Sequence, residues 1–320
     1  MLPILVWSVI FIISLIVLVK SADLFTSSAE KIGVRLGISA FIVGVTIVAV
    51  GTSLPELVTS LFAVFKGSTE IVASNVVGSN ITNIFLVLGV AAILSRKKIK
   101  TSFGLIHVDL PFLIGSAFLF AITIIDGVFT FWEGIICLFT AVIYFIYTIK
   151  VSTKSTEKKI AKEVKSVVKL EKSRIIPWII LLIGAVLIYF SAGYLVESII
   201  QLSTILDIGI GVITITAVAL GTSLPELAVS VSAIRKGNMG MAVGNVLGSC
   251  IFNVLVVMGI PALFSRLTVP AEVIFFAMPM MLMATLLYFF IVQDDEITKW
   301  EGWLLVIFYV LFIGKMFNLF

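Results

Sequence analysis

The segment Gly51-Thr52-Ser53-Leu54-Pro55-Glu56 returns letter for letter, 170 positions later, as Gly221-Thr222-Ser223-Leu224-Pro225-Glu226. Each copy lies in a long apolar run, where a carboxylate is costly and persists mainly when something pairs with it. Neither Glu56 nor Glu226 has a basic residue nearby in its own run. Pro55 supplies no N–H and crowds the carbonyl four residues back, that of Gly51, and Gly51 itself weakens a helix. Main-chain oxygens around Ala49 to Thr52 are therefore expected to be partly released. At membrane depth such oxygens are tolerated only where protein or a lined cavity satisfies them. Thr52 and Ser53 add hydroxyls, and Glu56 lies about one turn beyond Thr52. Carbonyl, hydroxyl and carboxylate oxygens within one turn form a hard-cation ligand set.

A second element, Val77-Gly78-Ser79-Asn80-Ile81-Thr82-Asn83, follows the same logic without a charge. Ser79 and Asn83 are one turn apart and share a face; their partners in the second copy are Ser249 and Asn253. Gly78 and Gly248 permit a break or a close backbone approach. If these elements converge, the core holds two carboxylates and no Lys, Arg or His, which matches one divalent cation. The lack of core His or paired Cys argues against zinc or copper. Calcium, with a flexible shell of about six to eight oxygens, fits such a mixed site, whereas magnesium prefers to keep its waters. Neutral oxygens around the same carboxylates suit sodium ions in place of calcium, and competing occupancy of one cavity is what an exchanger needs. Two alternatives stay open at this point. Small and polar residues also cement helix packing in membranes, and a protonated, hydrogen-bonded Glu is the remaining alternative for Glu56 and Glu226.

The elements that carry these residues are legible from composition. The chain is 60% hydrophobic and 12% charged, with a mean hydropathy of +1.23, which places it in the membrane class. A span needs about 20 mostly apolar residues, and ten runs qualify: 3–19, 39–65, 70–94, 103–125, 128–149, 175–196, 208–234, 240–264, 270–292 and 302–317. Runs of this length are not the short alternating segments of a β-barrel, so the expected fold is all-α and polytopic. The first run lacks a basic n-region and a small-residue cleavage site, and Lys20 follows rather than precedes it, so it reads as a span and not a signal peptide. Cys137 and Cys250 fall in separate apolar runs and read as buried, unpaired thiols.

Charge sets the expected orientation. With ten spans, one side collects Lys20, Lys31, Arg35, Arg96, Lys97, Lys98, Lys100, the nine basic residues of 150–174, Arg235, Lys236 and Lys299; the other has only Lys66, Arg266 and Lys315. This bias puts the 150–174 loop in the cytoplasm and both termini outside a multi-pass cell-membrane protein. Topology and anionic-lipid contact explain these lysines better than nucleic acid does.

The duplication extends beyond the hexapeptide. Sliding the chain by 170 without a gap aligns 44–89 with 214–259 at about half identity, pairing Asn75, Val76, Gly78, Ser79, Ile81 and Asn83 with Asn245, Val246, Gly248, Ser249, Ile251 and Asn253. Each repeat then covers five spans. An odd count sends the second copy in from the opposite side, giving inverted topology and a pseudo-two-fold axis in the membrane plane. The expected organisation is a first five-helix repeat over 1–149, a basic cytoplasmic linker over 150–174 and a second repeat over 175–320.

Two GTSLPE copies, each followed by a G-S-x-x-x-N element in an inverted five-helix repeat, resemble the sodium/calcium exchangers of the cation/calcium exchanger superfamily, prokaryotic type. The resemblance implies ten helices with the second, third, seventh and eighth broken around a central diamond. It implies Glu56 and Glu226 as principal calcium ligands, joined by the backbone oxygens of Thr52 and Thr222. Sodium sites would use the same glutamates with Ser53, Ser79, Ser223 and Ser249 and the carbonyls of Ala49 and Ala219, with Asn83 and Asn253 lining the centre. It also implies that the paired first and sixth helices slide to alternate access, and that more than two sodium ions move per calcium. The potassium-dependent branch, and some prokaryotic relatives, place Asp where this chain has Asn253, so potassium co-transport is not expected. The large calcium-sensing domain of animal exchangers does not fit within 150–174.

The neighbouring reading is a proton-coupled calcium exchanger. Those relatives tend to carry Asn in place of the Thr-Ser pair, so Thr52-Ser53 and Thr222-Ser223 favour sodium. A channel would usually need subunits around an axis, which an internal inverted repeat does not suggest. There is no Ser-His-Asp set or phosphate loop for an enzyme, and His107 with Asp109 sits beside the Arg96–Lys100 cluster as an interfacial pair. The expected partners are calcium and sodium ions and the lipid bilayer, with no cofactor, no nucleic acid and a single chain as the functional unit.

Overall fold

A computed structural model describes residues 2–35, 51–95, 99–100, 109–151, 175–235, 239–293 and 296–319. These residues are helical almost throughout, because in lipid a helix satisfies every backbone group within its own segment. The first half contributes α1 (Leu2–Arg35), α2 (Leu54–Phe65), α3 (Glu70–Leu94), α4 (Asp109–Thr123) and α5 (Phe131–Val151). The second contributes α6 (Ile176–Leu206), α7 (Ile210–Arg235), α8 (239–262), α9 (273–293) and α10 (Lys299–Met316). Among the described residues seven helices are long and apolar enough to cross a membrane, namely α1, α3 and α5 to α9, while α2 and α4 are shorter apolar helices. The chain is a multi-pass membrane protein.

Two helices run past the bounds their apolar runs suggest. α1 continues through Lys20 to Arg35, and α6 continues through Glu197 to Leu206. A charge ends an apolar run but not a helix, since Lys and Glu are good helix formers. α6 stops only where Asp207 turns left-handed, at φ 53°. At 34 residues α1 is about 50 Å long, well beyond a hydrocarbon core of about 30 Å. α1 and α6 pack chiefly on each other and touch the rest through α2 and α7. Leu5, Val9, Ile12 and Ile16 form an exposed apolar stripe on α1, at the spacing of one helix face.

The remaining helices surround a core of α2, α3, α7 and α8, each touching the other three. α3 and α8 lie deepest, with 83% and 78% of their apolar stretches buried, against 17% for α1 and α5. α3 approaches α7 closely at Gly78, where a Cβ would run into the Ile215 carbonyl and stand 2.7 Å from the Ala219 Cβ. α3 crosses α10 at Gly89 and Gly302, and α8 crosses α5 at Gly259 and Gly134; a Cβ on any of the four would come within 3.0 Å of its neighbour. These crossings follow the small-residue rule of membrane helix packing.

Two short ladders tie the halves together. β1 (Ile99–Lys100) pairs antiparallel with β4 (Glu296–Ile297), and β2 (Val128–Phe129) pairs with β3 (Leu267–Thr268). Each ladder takes one strand from each half. α9, about 30 Å long, separates β3 from β4. Thr130 and Thr298 each bond a glutamate three residues on: both donate N–H at 2.6 Å and hydroxyl at 2.8 Å, to Glu133 and Glu301 respectively, and Glu301 returns its N–H to the Thr298 hydroxyl at 3.4 Å. Cys137 and Cys250 are buried free thiols, as expected.

Candidate functional site

The two hexapeptides fold alike. Gly51 and Thr52 are helical, Ser53 leaves the helix at φ −93° and ψ 13°, and α2 begins at Leu54. In α7, Ala219–Thr222 is helical, Ser223 turns at φ −81° and ψ 3°, and helix resumes at Leu224. One residue thus sits in the sparsely allowed bridge region, a common place for functional residues. The proline opens the new segment, where its missing N–H is not needed, so the break is milder than a proline inside a helix would cause. The Ala219 carbonyl still accepts the Ser223 N–H at 3.2 Å and has a long contact of 3.5 Å with the Thr222 hydroxyl. Ala49 lies outside the described residues.

This geometry puts each glutamate in the first turn of a half-helix, where the positive end of the helix dipole favours a carboxylate. In α7, the C-terminal end of the preceding segment brings carbonyl oxygens to the same break, a combination that suits cations. Leu15 of α1 packs directly on Gly221 at the α7 break; a Cβ there would stand 2.9 Å from the Leu15 Cγ.

The halves interlock at the carboxylates. Glu226 Oε1 accepts from Ser53 of the other half at 3.0 Å and from Ser249 at 3.2 Å. With Ser249's one hydrogen so used, the 3.5 Å contact of Thr52 with Ser249 Oγ has Thr52 as donor. Among the described residues Glu226 Oε2 accepts nothing, nor does either carboxylate oxygen of Glu56. Thr222 and Ser79 face Glu56 without closing a hydrogen bond onto it. Thr222 commits its hydrogen to the Val218 carbonyl at 3.1 Å, which leaves oxygen lone pairs at the site. Glu56 and Glu226 are wholly buried, as are Ser53, Ser79, Thr222 and Asn83.

Asparagines hold the frame. Asn75 Nδ2 donates to the Glu56 carbonyl at 3.3 Å and to Ser60 Oγ at 3.4 Å; Asn245 does the same to the Glu226 carbonyl at 3.3 Å and Ser230 Oγ at 3.2 Å. Asn75, Ser79 and Asn83 recur every four residues, as do Asn245, Ser249 and Asn253, so each triplet marks one face of α3 or α8. Asn83 lies in a π-helical stretch at Thr82–Leu88 and Asn253 opens one at Asn253–Val257, features that often mark functional sites. Among the described residues neither side-chain atom of Asn83 has a hydrogen-bond partner, nor do Ser79 Oγ, Ser223 Oγ and Asn253 Oδ1. Buried orphan polar atoms are rare and call for an explanation; here they are almost all oxygens, and they fall in the same repeated segments as the two carboxylates. Among the described residues no cluster of three His, Cys, Asp or Glu is present, so a cation held here would draw mainly on neutral oxygens.

The part played by Asn75 and Asn245 was not read from the residues, although their recurrence together with Ser60 and Ser230 was there to see. A slide of 168 instead of 170 aligns Thr130-Phe131-Trp132-Glu133-Gly134 with Thr298-Lys299-Trp300-Glu301-Gly302. That match contains both capping pairs and two of the four crossing glycines, and an ungapped comparison misses it.

The family described as sodium/calcium exchanger protein matches residues 6–150 and 176–317. The sodium/calcium exchanger MaX1 of Methanosarcina acetivorans is 34% identical, over 96% of this chain and 97% of that protein. The inner membrane protein YrbG of Escherichia coli is 31% identical, over 80% of this chain and 79% of that protein. A solved structure of the sodium-calcium exchanger NCX_Mj, soaked with 2.5 mM Na+ and 0.1 mM Ca2+, superposes with a TM-score of 0.66 at 31% identity, covering 97% of this chain and 98% of that one.

Proposed function

This chain belongs to the sodium/calcium exchanger family, and we propose that it is a secondary active antiporter that exchanges sodium for calcium by alternating access, electrogenically and without potassium. The observation that carries this is the pair of wholly buried carboxylates, Glu56 and Glu226, on matching half-helices, with Ser53 of one half bonded to Glu226 of the other. Two negative charges balance one calcium ion. Glu56 and Glu226 would bind calcium with the backbone oxygens of Thr52 and Thr222. Sodium ions would take the same glutamates with Ser53, Ser79, Ser223, Ser249 and the carbonyls of Ala49 and Ala219, Asn83 and Asn253 lining the centre. More than two sodium ions per calcium make the crossing carry charge.

The proposal includes ten spans in two inverted repeats. The ladders support it: the linker before α4 pairs with the linker after α9, while the linker after α4 pairs with the linker before α9. Matching linkers of the two halves therefore sit at opposite ends of the bundle, as a two-fold axis in the membrane plane requires. Alternating access needs a cover that moves. The α1–α6 pair is suited to that, since its two helices pack mainly on each other and lie over the α7 break through Leu15.

Calcium-45 uptake into proteoliposomes, driven by an outward sodium gradient and separately by an outward proton gradient, tests the reading. Uptake with sodium alone is expected. Uptake driven equally well by protons without sodium would move the protein to the proton-coupled branch.

A further inference from the structure

Asn80 and Cys250 hold matching places in the two halves, 170 residues apart, and they meet. Asn80 Nδ2 donates to the Cys250 carbonyl at 3.2 Å. On its other side Asn80 Oδ1 accepts from Asn253 Nδ2, also at 3.2 Å. All three residues are buried.

The direction of this chain is set at one end. A backbone carbonyl only accepts, so it must receive the nitrogen end of the Asn80 amide. That turns Asn80 Oδ1 toward Asn253, where only a donor satisfies it. Asn253 presents its nitrogen there, and its Oδ1 is left buried without a hydrogen-bond partner. The two ends of an amide have almost the same shape, so packing alone would not choose between them. The choice matters beside two carboxylates. A free Asn253 amide would gain by turning its NH2 toward them, since hydrogen bonds to charged groups are the stronger kind. In that pose it would compete with a cation instead of binding one. Asn83, the counterpart of Asn253, has no such anchor among the described residues, and neither end of its amide finds a partner there.

We propose that Asn80 is a positioning residue that locks the Asn253 amide with its oxygen, not its nitrogen, presented to the transported cation. The proposal rests on the reading of Asn253 as lining the ion site. It also breaks the equivalence of the halves: one amide is held as an acceptor, and its counterpart is free to turn.

The test is sodium-driven calcium-45 uptake by the full chain in proteoliposomes, with KM and kcat for calcium. Asn80→Ala removes the anchor. Asn80→Cys copies the side chain already buried at the matching position, which guards against misfolding, and both variants are checked by monodisperse elution. Each is expected to raise the calcium KM about tenfold with kcat within about twofold, a difference of about 1.4 kcal/mol. In an Asn253→Asp background, whose two oxygens are equivalent, Asn80→Ala should no longer raise KM. A wild-type KM in both Asn80 variants overturns the proposal, and so does the same rise in the Asn and Asp backgrounds, which is what a merely structural role would give. Asn253→Ala with a wild-type KM would instead sink the ion-site reading underneath, and the inference with it.

Discussion

Glu226→Gln removes one charge and keeps the shape of the side chain. The amide oxygen can go on accepting from Ser53 and Ser249, now at 3.0 and 3.2 Å, and the amide nitrogen replaces an oxygen that has no partner. The fold should therefore survive. In ion-free detergent the variant should melt no lower than the parent, because a neutral amide replaces a wholly buried carboxylate, and an uncompensated buried charge destabilises a fold. Cation binding is where the loss falls. At about 4 Å and an effective dielectric near 20, one carboxylate attracts a monovalent cation by about 4 kcal/mol, and a divalent one by about twice that. Desolvation offsets part of this, and breaking one buried charge pair typically costs about 3–5 kcal/mol. Calcium affinity should fall at least about a hundredfold. Because the calcium term is double the sodium term, calcium should weaken by the larger factor. Calorimetric titration of the purified protein with each ion measures both constants, and calcium-45 exchange should vanish. Calcium affinity within about threefold of the parent, or equal losses for the two ions, would refute the shared two-carboxylate site.

Gly78→Ala should push α3 off the α7 backbone at Ile215 and Ala219 and lower stability by about 1–3 kcal/mol; an unchanged melting temperature in detergent would contradict that close approach. Lys66→Ala removes the 2.6 Å ion pair with Glu197 that joins the end of α2 to α6. Both side chains are about one-third exposed, so the loss should stay below about 1 kcal/mol and shrink in high salt; a larger, salt-insensitive loss in thermal melts would mean the pair is shielded. A cysteine placed in 150–174 should react with an impermeant maleimide only from the cytoplasmic side, and one near either terminus only from outside, with the buried Cys137 and Cys250 silent; both labels on one face would rule out inverted topology. One elementary charge is worth about 2.3 kcal/mol per 100 mV, so sodium-driven calcium uptake in potassium-free vesicles should change more than about tenfold over that range. Uptake indifferent to voltage would exclude electrogenic exchange.

Much of the site was legible because its chemistry is expensive. A glutamate in an apolar run, beside hydroxyls and a proline, has few reasons to exist, and it occurs twice. The long runs named the helical class for the same reason: lipid leaves the backbone few other choices. Helix ends were less legible. Lys20 and Glu197 interrupt hydropathy without interrupting the hydrogen-bond ladder, so α1 and α6 extend beyond their apolar runs. Pro55 and Pro225 signal a break, but the sequence does not say that each proline opens the next segment, with Ser53 and Ser223 turning just before it. The glycine crossings were hidden by their offset. Gly134 and Gly302 are 168 apart while Gly89 and Gly259 are 170 apart, so a slide by one fixed distance recovers only one pair.

Sequence repetition also overstated the symmetry of the site. An ungapped match makes Glu56 and Glu226 look interchangeable, yet Glu226 takes two hydroxyl hydrogens and Glu56 takes none. The residue types differ little, since Ser53, Ser79, Ser223 and Ser249 are two matched pairs. The difference lies in where single hydrogens go. Thr222 spends its own on Val218, and Ser53 gives its own across to the other half. A hydroxyl has one hydrogen and two lone pairs, so each such choice turns an oxygen either toward a carboxylate as donor or toward a cation as ligand. Residue identity fixes the inventory of oxygens, which is why a candidate ligand set can be proposed from the chain. It does not fix the direction of each O–H or amide. That direction is decided by neighbours such as Asn80, which differs from its counterpart Cys250 in otherwise closely matched repeats.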